Sequence, residues 1–304
     1  MKKNSGVSGI IEKISYYLMV APGTILIFIF AYMPIVGILF AFVNYKPARG
    51  IFGSEWVGLR NFRDFFSNPD FWLLTRNTLG YNIVFLILGT VLALTFALLM
   101  NELRSVKAIK TYQTIAIMPH FLSYVIVAYL VFAFLGQSHG IINKSLLPAL
   151  GIDPINWYAE SKYWPFILVF VRMWKEIGYS CIVYFAAISG INSEYYEAAL
   201  IDGANRFQMA IKVTLPLIRS IICIQLIMAL GGLFNSDIGL FYNVPMDQGA
   251  LYSTTNVMST YLYKNIINTG YSTAAGLYAS ILGFILVMVS NTIVNKIDSD
   301  SALF

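Results

Sequence analysis

Asn192-Ser193-Glu194-Tyr195-Tyr196-Glu197-Ala198-Ala199-Leu200-Ile201-Asp202-Gly203-Ala204-Asn205-Arg206 lies between two long apolar segments. Asn192 or Ser193 is suited to cap a helix N-terminus, and the acids Glu194 and Glu197 suit the positive end of its dipole. Ala198, Ala199 and Leu200 are strong helix formers. Gly203 then fits a left-handed C-cap, at which the chain turns and restarts. Pro216 falls near the start of the next apolar segment, where its missing N–H costs least. These residues predict a short helix, a turn and a second helical stretch, held parallel to a membrane.

Outward from this stretch the chain is apolar. Of 304 residues, 58% are hydrophobic and 12% charged, and the mean hydropathy is +0.69. A soluble domain carries about 25% charged residues, so half of the expected solvating charge is missing. The apolar residues fall into long runs, which makes a bilayer the solvent. A span needs about 20 mostly apolar residues, and six segments qualify: 15–43, 78–100, 111–135, 164–191, 213–233 and 273–294. The expectation is an all-α integral membrane protein, a single membrane domain over residues 1–304, with 192–212 joining the fourth and fifth spans. Pro34 and Pro119 fall within spans and predict bends, whose freed carbonyls neighbouring helices or water must satisfy.

Lys and Arg near the span ends set the orientation. With the N-terminus inside, the inner segments hold ten of them, Lys2, Lys3 and Lys13 included, against eight in the outer segments. The short connection Asn101–Lys110 carries three positive residues and one acid, while the first outer connection dilutes its charge over a long loop. Both termini are therefore placed in the cytoplasm. The outer connection 46–76 is rich in aromatics (Trp56, Phe62, Phe65, Phe66, Phe71 and Trp72), read as an interfacial belt compatible with a docking surface. Cys181 and Cys223 sit in apolar segments as small hydrophobes, and no metal-ligand cluster is evident. The first apolar run is too long for a signal-peptide core, so the N-terminus is expected to stay on the mature protein. No basic stripe runs along any segment, which argues against nucleic acid as a partner.

The pattern Glu197-Ala198-Ala199, three residues, Gly203, nine residues, Val213-x-Leu215-Pro216 resembles the EAA loop of binding-protein-dependent ABC importer permeases, with Val at the usual Ile position. Val57-Gly58-Leu59-Arg60-Asn61-Phe62, Asn77-Thr78-Leu79, Leu98-Leu99-Met100-Asn101-Glu102-Leu103, Met118-Pro119-His120-Phe121-Leu122-Ser123 and Trp174-Lys175-Glu176-Ile177-Gly178-Tyr179 look like the polysaccharide-type, LplB-like branch of sugar permeases, related to the maltose type. Tyr242-Asn243-Val244-Pro245-Met246-Asp247 departs from it, standing where many sugar permeases have Thr-x-Gly-Gly-Pro. The resemblance implies a type I importer permease with six transmembrane helices in a bacterial cytoplasmic membrane. It also implies two copies of an ATPase that uses ATP and Mg, a second and different permease subunit, an extracellular solute-binding protein and a sugar cargo. By position, Glu197 pairs with a basic residue of the ATPase, Ala198 and Ala199 allow close approach, Gly203 sets the bend, and Leu215 and Pro216 complete the motif. A rigid helix of this kind converts ATPase closure into tilting of the bundle.

Ionisable residues inside a span cost about 2.5–3.5 kcal/mol each and are functional candidates by default. Arg172, Lys175 and Glu176 lie within the fourth span at spacings of three and four, so they share a face, and Arg172 and Glu176 are placed to pair. As a lining of a sugar path they stand beside the alternative of a structural pair that orients the span. His120 is a candidate donor to sugar hydroxyls, Tyr179 and Trp174 are candidates to stack on a sugar face, and Asn235, at the outer end of the fifth span with Asp237, is a further candidate for the sugar path beside the alternative that the two mark an interface. The chain has no Gly-x-x-x-x-Gly-Lys-Ser/Thr loop, so ATP is used by another chain. A self-sufficient secondary transporter or a channel subunit is the competing class; a membrane enzyme lacks a nucleophile–base set.

Overall fold

The computed structural model describes residues 5–297 and 302–303. Lys2 and Lys3, counted above for orientation, and both chain ends lie outside the described residues. The chain forms two compact units, Met1–Ser67 with Asn265–Leu277, and Asn68–Lys264 with Tyr278–Phe304.

The first unit opens with α1 (Ser5–Ile27), which runs on through a π-helical turn, Phe28–Tyr32, into a 3-10 stretch, Met33–Phe42. Lys13–Phe42 is a 30-residue run apolar enough to cross a membrane. Pro34, where a bend is expected, stands at the start of the 3-10 stretch, so the helix changes type where proline has no N–H to give. Val43–Asn44 (β1) then pairs antiparallel with Glu55–Trp56 (β2), Val43 opposite Trp56. α2 (Arg60–Phe66) follows. The Asn61 side-chain amide donates to the carbonyls of Ala41, at 2.9 Å, and Val43, at 3.2 Å, capping the end of the first apolar run. Phe65 is fully buried, while Trp56, Phe66 and Trp72 are exposed.

In the second unit α3 (Phe71–Asn101) starts seven residues before the expected span and is continuous over 31 residues. α4 (Val106–Ile117) is capped by Ser105 and α5 (Tyr124–Leu135) by Ser123. A 3-10 turn, Met118–Phe121, carries Pro119 at the end of α4, and the chain bends by 97° at Leu122–Ser123 before α5. The expected span 111–135 is thus two helices. α6 (Leu147–Ala149) is a single turn, and α7 (Trp164–Ser189) is continuous over 26 residues. Next come α8 (Ser193–Ile201), α9 (Arg206–Met209), α10 (Leu215–Leu217) and α11 (Arg219–Gly231). A π-helical turn, Ala210–Thr214, fuses α9 to α10, and the chain bends by 65° before α11, so the expected span 213–233 is also broken. After α11 the backbone unwinds over 232–237. α12 (Tyr252–Thr255), α13 (Met258–Lys264) and α14 (Thr269–Ile297) complete the chain, and α14 crosses the boundary between the units.

α7 and α3 pack along their length. Near one end, Trp164, Leu168 and Val171 of α7 bury against Tyr81, Val127 and Phe241. Toward the other, Cys181, Tyr184 and Ile188 meet Ala93, Ala97 and Ile218. Lipid tails are as apolar as these side chains, so close packing rather than escape from water holds the helices. Glycine permits the closest crossing: a Cβ on Gly178 would lie 2.0 Å from the Ala116 carbonyl oxygen of α4. Cys181 donates to the Gly178 carbonyl, and both cysteines are free.

The segment that departs from the sugar-permease pattern forms a strained turn, with Met246 at φ 53° and Asp247 at φ 49°. Lys264 forms an ion pair with Asp247, and Tyr252 donates to the same carboxylate at 2.9 Å. Burial pulls the Lys264 pKa down, but the hydrogen bonds and charge of Asp247 and Tyr252 outweigh it and hold the ammonium above the usual lysine range.

Candidate functional site: a capped loop and a charged cavity wall

The loop between α7 and α10 is built from local capping. The Asn192 side chain accepts from the Glu194 N–H at 3.2 Å and opens α8. At its end Gly203 adopts φ +79°, its N–H donating to the Leu200 carbonyl and that of Ala204 to Ala199. α9 restarts with a reciprocal capping box: the Gln208 N–H donates to the Asn205 side chain and the Asn205 N–H to the Gln208 side chain, both at 2.9 Å. Tyr196 and Thr214 share a hydroxyl hydrogen bond of 3.0 Å, which ties α8 to the π-helical turn after α9. Glu197 and Ala198 are exposed, Ala199 and Leu215 half-buried and Pro216 exposed. Beside them Leu200, Ile201 and Phe207 also turn outward. Arg206, the first residue of α9, forms an ion pair with Glu102, the C-cap of α3.

The second feature is a cavity of about 480 Å³ walled by α3, α7 and α11. Arg172, Glu176, Tyr179 and Asn235 line it, as does Asn82 of α3. Arg172 donates to the Tyr124 hydroxyl at 3.1 Å and pairs with Asp237 at 3.2 Å and, more loosely, with Glu176 at 3.7 Å. Glu176 reaches His120 Nδ1 at 3.0 Å, and the His120 ring stacks on Tyr179 with centroids 4.3 Å apart. Lys175 departs from the shared face: it is 5% exposed and donates to the His120 carbonyl beside the Pro119 break, its ammonium 5.0 Å from the Tyr124 ring centroid. A carbonyl freed by a helix break at membrane depth needs a donor, and Lys175 supplies it.

The unwound segment after α11 is treated the same way. Asn82 donates to the Leu233 carbonyl at 2.7 Å and that of Asn235 at 3.3 Å. Ser259 donates to the Asn235 side chain and accepts from the Ser236 N–H. Asp237 accepts from the Gly239 N–H at 2.8 Å, and a Cβ on Gly239 would lie 2.5 Å from the Tyr124 ring. Trp174 is not part of this wall; it faces a separate apolar hollow of about 690 Å³ with Phe166 and Phe170. Sequence reasoning missed Asn82 and Tyr124 and gave Asp237 no partner. An amide midway along a 31-residue apolar helix was the available signal for Asn82.

Breaks at two spans, a charged cavity wall and a rigid exposed loop are the parts of a membrane transport subunit. Residues 89–298 match the family described as binding-protein-dependent transport system inner membrane component, and the chain belongs to that family. It is 38% identical over 287 residues to Protein LplB of Bacillus subtilis (strain 168), covering 93% of this chain and 89% of LplB. It is 36% identical over 290 residues to the polygalacturonan/rhamnogalacturonan transport system permease protein YteP of the same organism, covering 94% and 89%. Among solved structures it superposes, with a TM-score of 0.86 and 32% identity, on a chain of a bacterial ABC transporter involved in the import of the acidic polysaccharide alginate, covering 96% of this chain and 98% of that one. The fold is that of a type I ABC permease, and the chain is a transporter membrane subunit rather than an enzyme.

Proposed function

We propose that this chain is the permease subunit of an ATP-driven importer for an oligosaccharide or glycan fragment, coupled to a separate ATPase through residues 192–212. The observation that carries this reading is the loop. Its two helices are capped at each junction, its outward face holds Glu197 with no ion-pair partner among the described residues, and it joins α7 across the short junction 190–192 and runs through the π-helical turn into α10. In this reading Glu197, Ala198 and Ala199 seat in the ATPase, Gly203 sets the bend, and Leu215 and Pro216 carry the motion toward α11. ATP and Mg are used on the ATPase. The similar proteins include a polygalacturonan/rhamnogalacturonan transport system permease and a chain of an alginate importer, which supports a carbohydrate cargo delivered by an extracellular solute-binding protein and passed through a pore shared with a second permease.

Six spans with both termini in the cytoplasm complete the proposal, as one permease domain. The first run, α3 and α14 meet the length and apolarity of a span, the two bent pairs count as one each, and α7 makes the sixth despite its three charged residues. Arg172, Glu176, Tyr179 and Asn235 line the path of the sugar, and Lys175 and His120 hold the third span's break in place behind them. Co-expression with the neighbouring transport genes, followed by purification of this chain, tests the reading: an ATPase must co-purify, and its absence overturns it.

The cavity wall gives a second test. Arg172→Ala and Asp237→Ala should each lower uptake roughly two- to fivefold, the equivalent of about 0.4–1 kcal/mol from a partly exposed pair. The double variant should lose little more than either single one, because each removes the same contact. Losses that add would assign the two residues separate roles along the path.

A further inference from the structure

We propose that Glu102 and Arg206 form a positioning pair through which the loop 192–212 acts on α3, and hence on a third wall of the cavity. The inference rests on the coupling role proposed above for that loop, and extends it from the two segments joined to the loop by the chain to one that is not.

Four observations carry it. Arg206 occupies the first position of α9, whose start is fixed by the Asn205–Gln208 capping box, so the guanidinium sits on a rigid base. The turn before it is closed by hydrogen bonds from Gly203 and Ala204 back into α8, and Tyr196 ties α8 to the helical run beyond α9. A push on α8 therefore moves Arg206 as part of one body. Its partner Glu102 caps α3, donating its N–H to the carbonyls of Leu99 and Met100. Arg206 thus meets both a carboxylate and the negative end of a 31-residue helix dipole. The helix so gripped carries Asn82, Phe85, Leu86 and Gly89 on the cavity wall. Both side chains are substantially exposed, 64% for Arg206 and 40% for Glu102. A pair of this kind adds little to folding, so its value lies in geometry.

The test uses the assembled importer with its ATPase, with Cys181→Ala, Cys223→Ala and Leu86→Cys in this chain. A water-soluble maleimide reports the cavity wall with and without ATP and vanadate. Nucleotide should change the labelling rate of Cys at position 86 when the pair is intact. Arg206→Glu and Glu102→Arg should each shrink that change roughly two- to fivefold, the scale an exposed ion pair supports. ATPase co-purification and protein yield should be unaffected. The double charge swap should restore the response, which loss of a merely stabilising contact would not require. Full response in the single variants, a swap no better than either, or loss of the ATPase from Arg206→Glu overturns the inference. Glu197→Lys in the same background separates it from the coupling role itself: if that variant keeps both ATPase and response, the loop is not the coupling element. If it loses them while the Arg206 and Glu102 variants respond fully, only the positioning pair fails.

Discussion

Glu197→Lys is expected to abolish ATPase association and uptake while leaving the protein inserted and folded. Of the two acids expected to suit the helix dipole, only Glu194 lies in the first turn of α8; Glu197, the fifth residue, lies past it and is exposed. The caps that hold the loop, Asn192, Gly203 and the Asn205–Gln208 box, are untouched by the change. Reversing the charge should therefore cost the helix no more than a few tenths of a kcal/mol. At a docked interface the same change removes a charge-assisted contact and sets two cations together, which costs roughly 2–5 kcal/mol. Co-purification of the ATPase from detergent and uptake in proteoliposomes measure the two halves of the result. Unchanged uptake would remove Glu197 from the coupling surface.

Gly178→Val should be the most damaging single change in α7. A Cβ at this position would meet the Ala116 carbonyl oxygen at 2.0 Å, the Ala116 carbonyl carbon at 2.2 Å and the Ile117 nitrogen at 2.7 Å. All three are backbone atoms, so no rotamer relieves the clash and α4 must move away by about an ångström. Overpacking costs about 1–3 kcal/mol where side chains yield, and here the yielding part is a helix. That shift also draws His120 away from Lys175 and Glu176, which lie less than one turn from Gly178. The expected result is low yield and early thermal unfolding in detergent, even for Gly178→Ala. Gly80→Ala, with nothing within 4 Å of the added Cβ, should melt like the parent. Equal stability of the two alanine variants would show that α4 and α7 do not cross this closely.

What the sequence made legible was local or cumulative. Apolar runs mark α3, α7 and α14, and the residues of the loop specify its caps and its left-handed glycine with no help from elsewhere. Pro119 announces a bend, although not its size. The second break has weaker signals: Pro216 precedes it by two residues, and Gly231-Gly232 marks where α11 unwinds. The Asn205–Gln208 capping box was readable from its spacing and overlooked. The cavity wall was only half visible. Arg172 and Glu176 stand out because charge is scarce in a span, but Tyr124 and Asp237 are 48 and 65 residues away from Arg172. Asn82 reaches a backbone carbonyl 151 residues distant. Pairings over such separations are set by how the breaks fold back on α7, which no local pattern encodes. Lys175 shows the same limit: helical spacing gave it the face of Arg172, and the freed carbonyl at His120 drew it elsewhere.

The charges of α7 bear on how the protein is made. Released alone into lipid, this helix would carry three ionisable groups, each costing about 2.5–3.5 kcal/mol near the bilayer centre. In the six-span reading proposed above, it would therefore insert less readily on its own than α3, which meets the length and apolarity of a span. The receptors for Lys175 and Glu176 are synthesised first, since His120 and Tyr124 precede α7 in the chain, and they can receive it as it emerges. Asp237 is synthesised 65 residues after Arg172, a delay of roughly 3–13 s at ordinary elongation rates of about 5–20 residues per second. During that interval Arg172 has the Tyr124 hydroxyl, Glu176 and the face of the Phe85 ring to shelter it, so its neutralisation is completed only when Asp237 arrives.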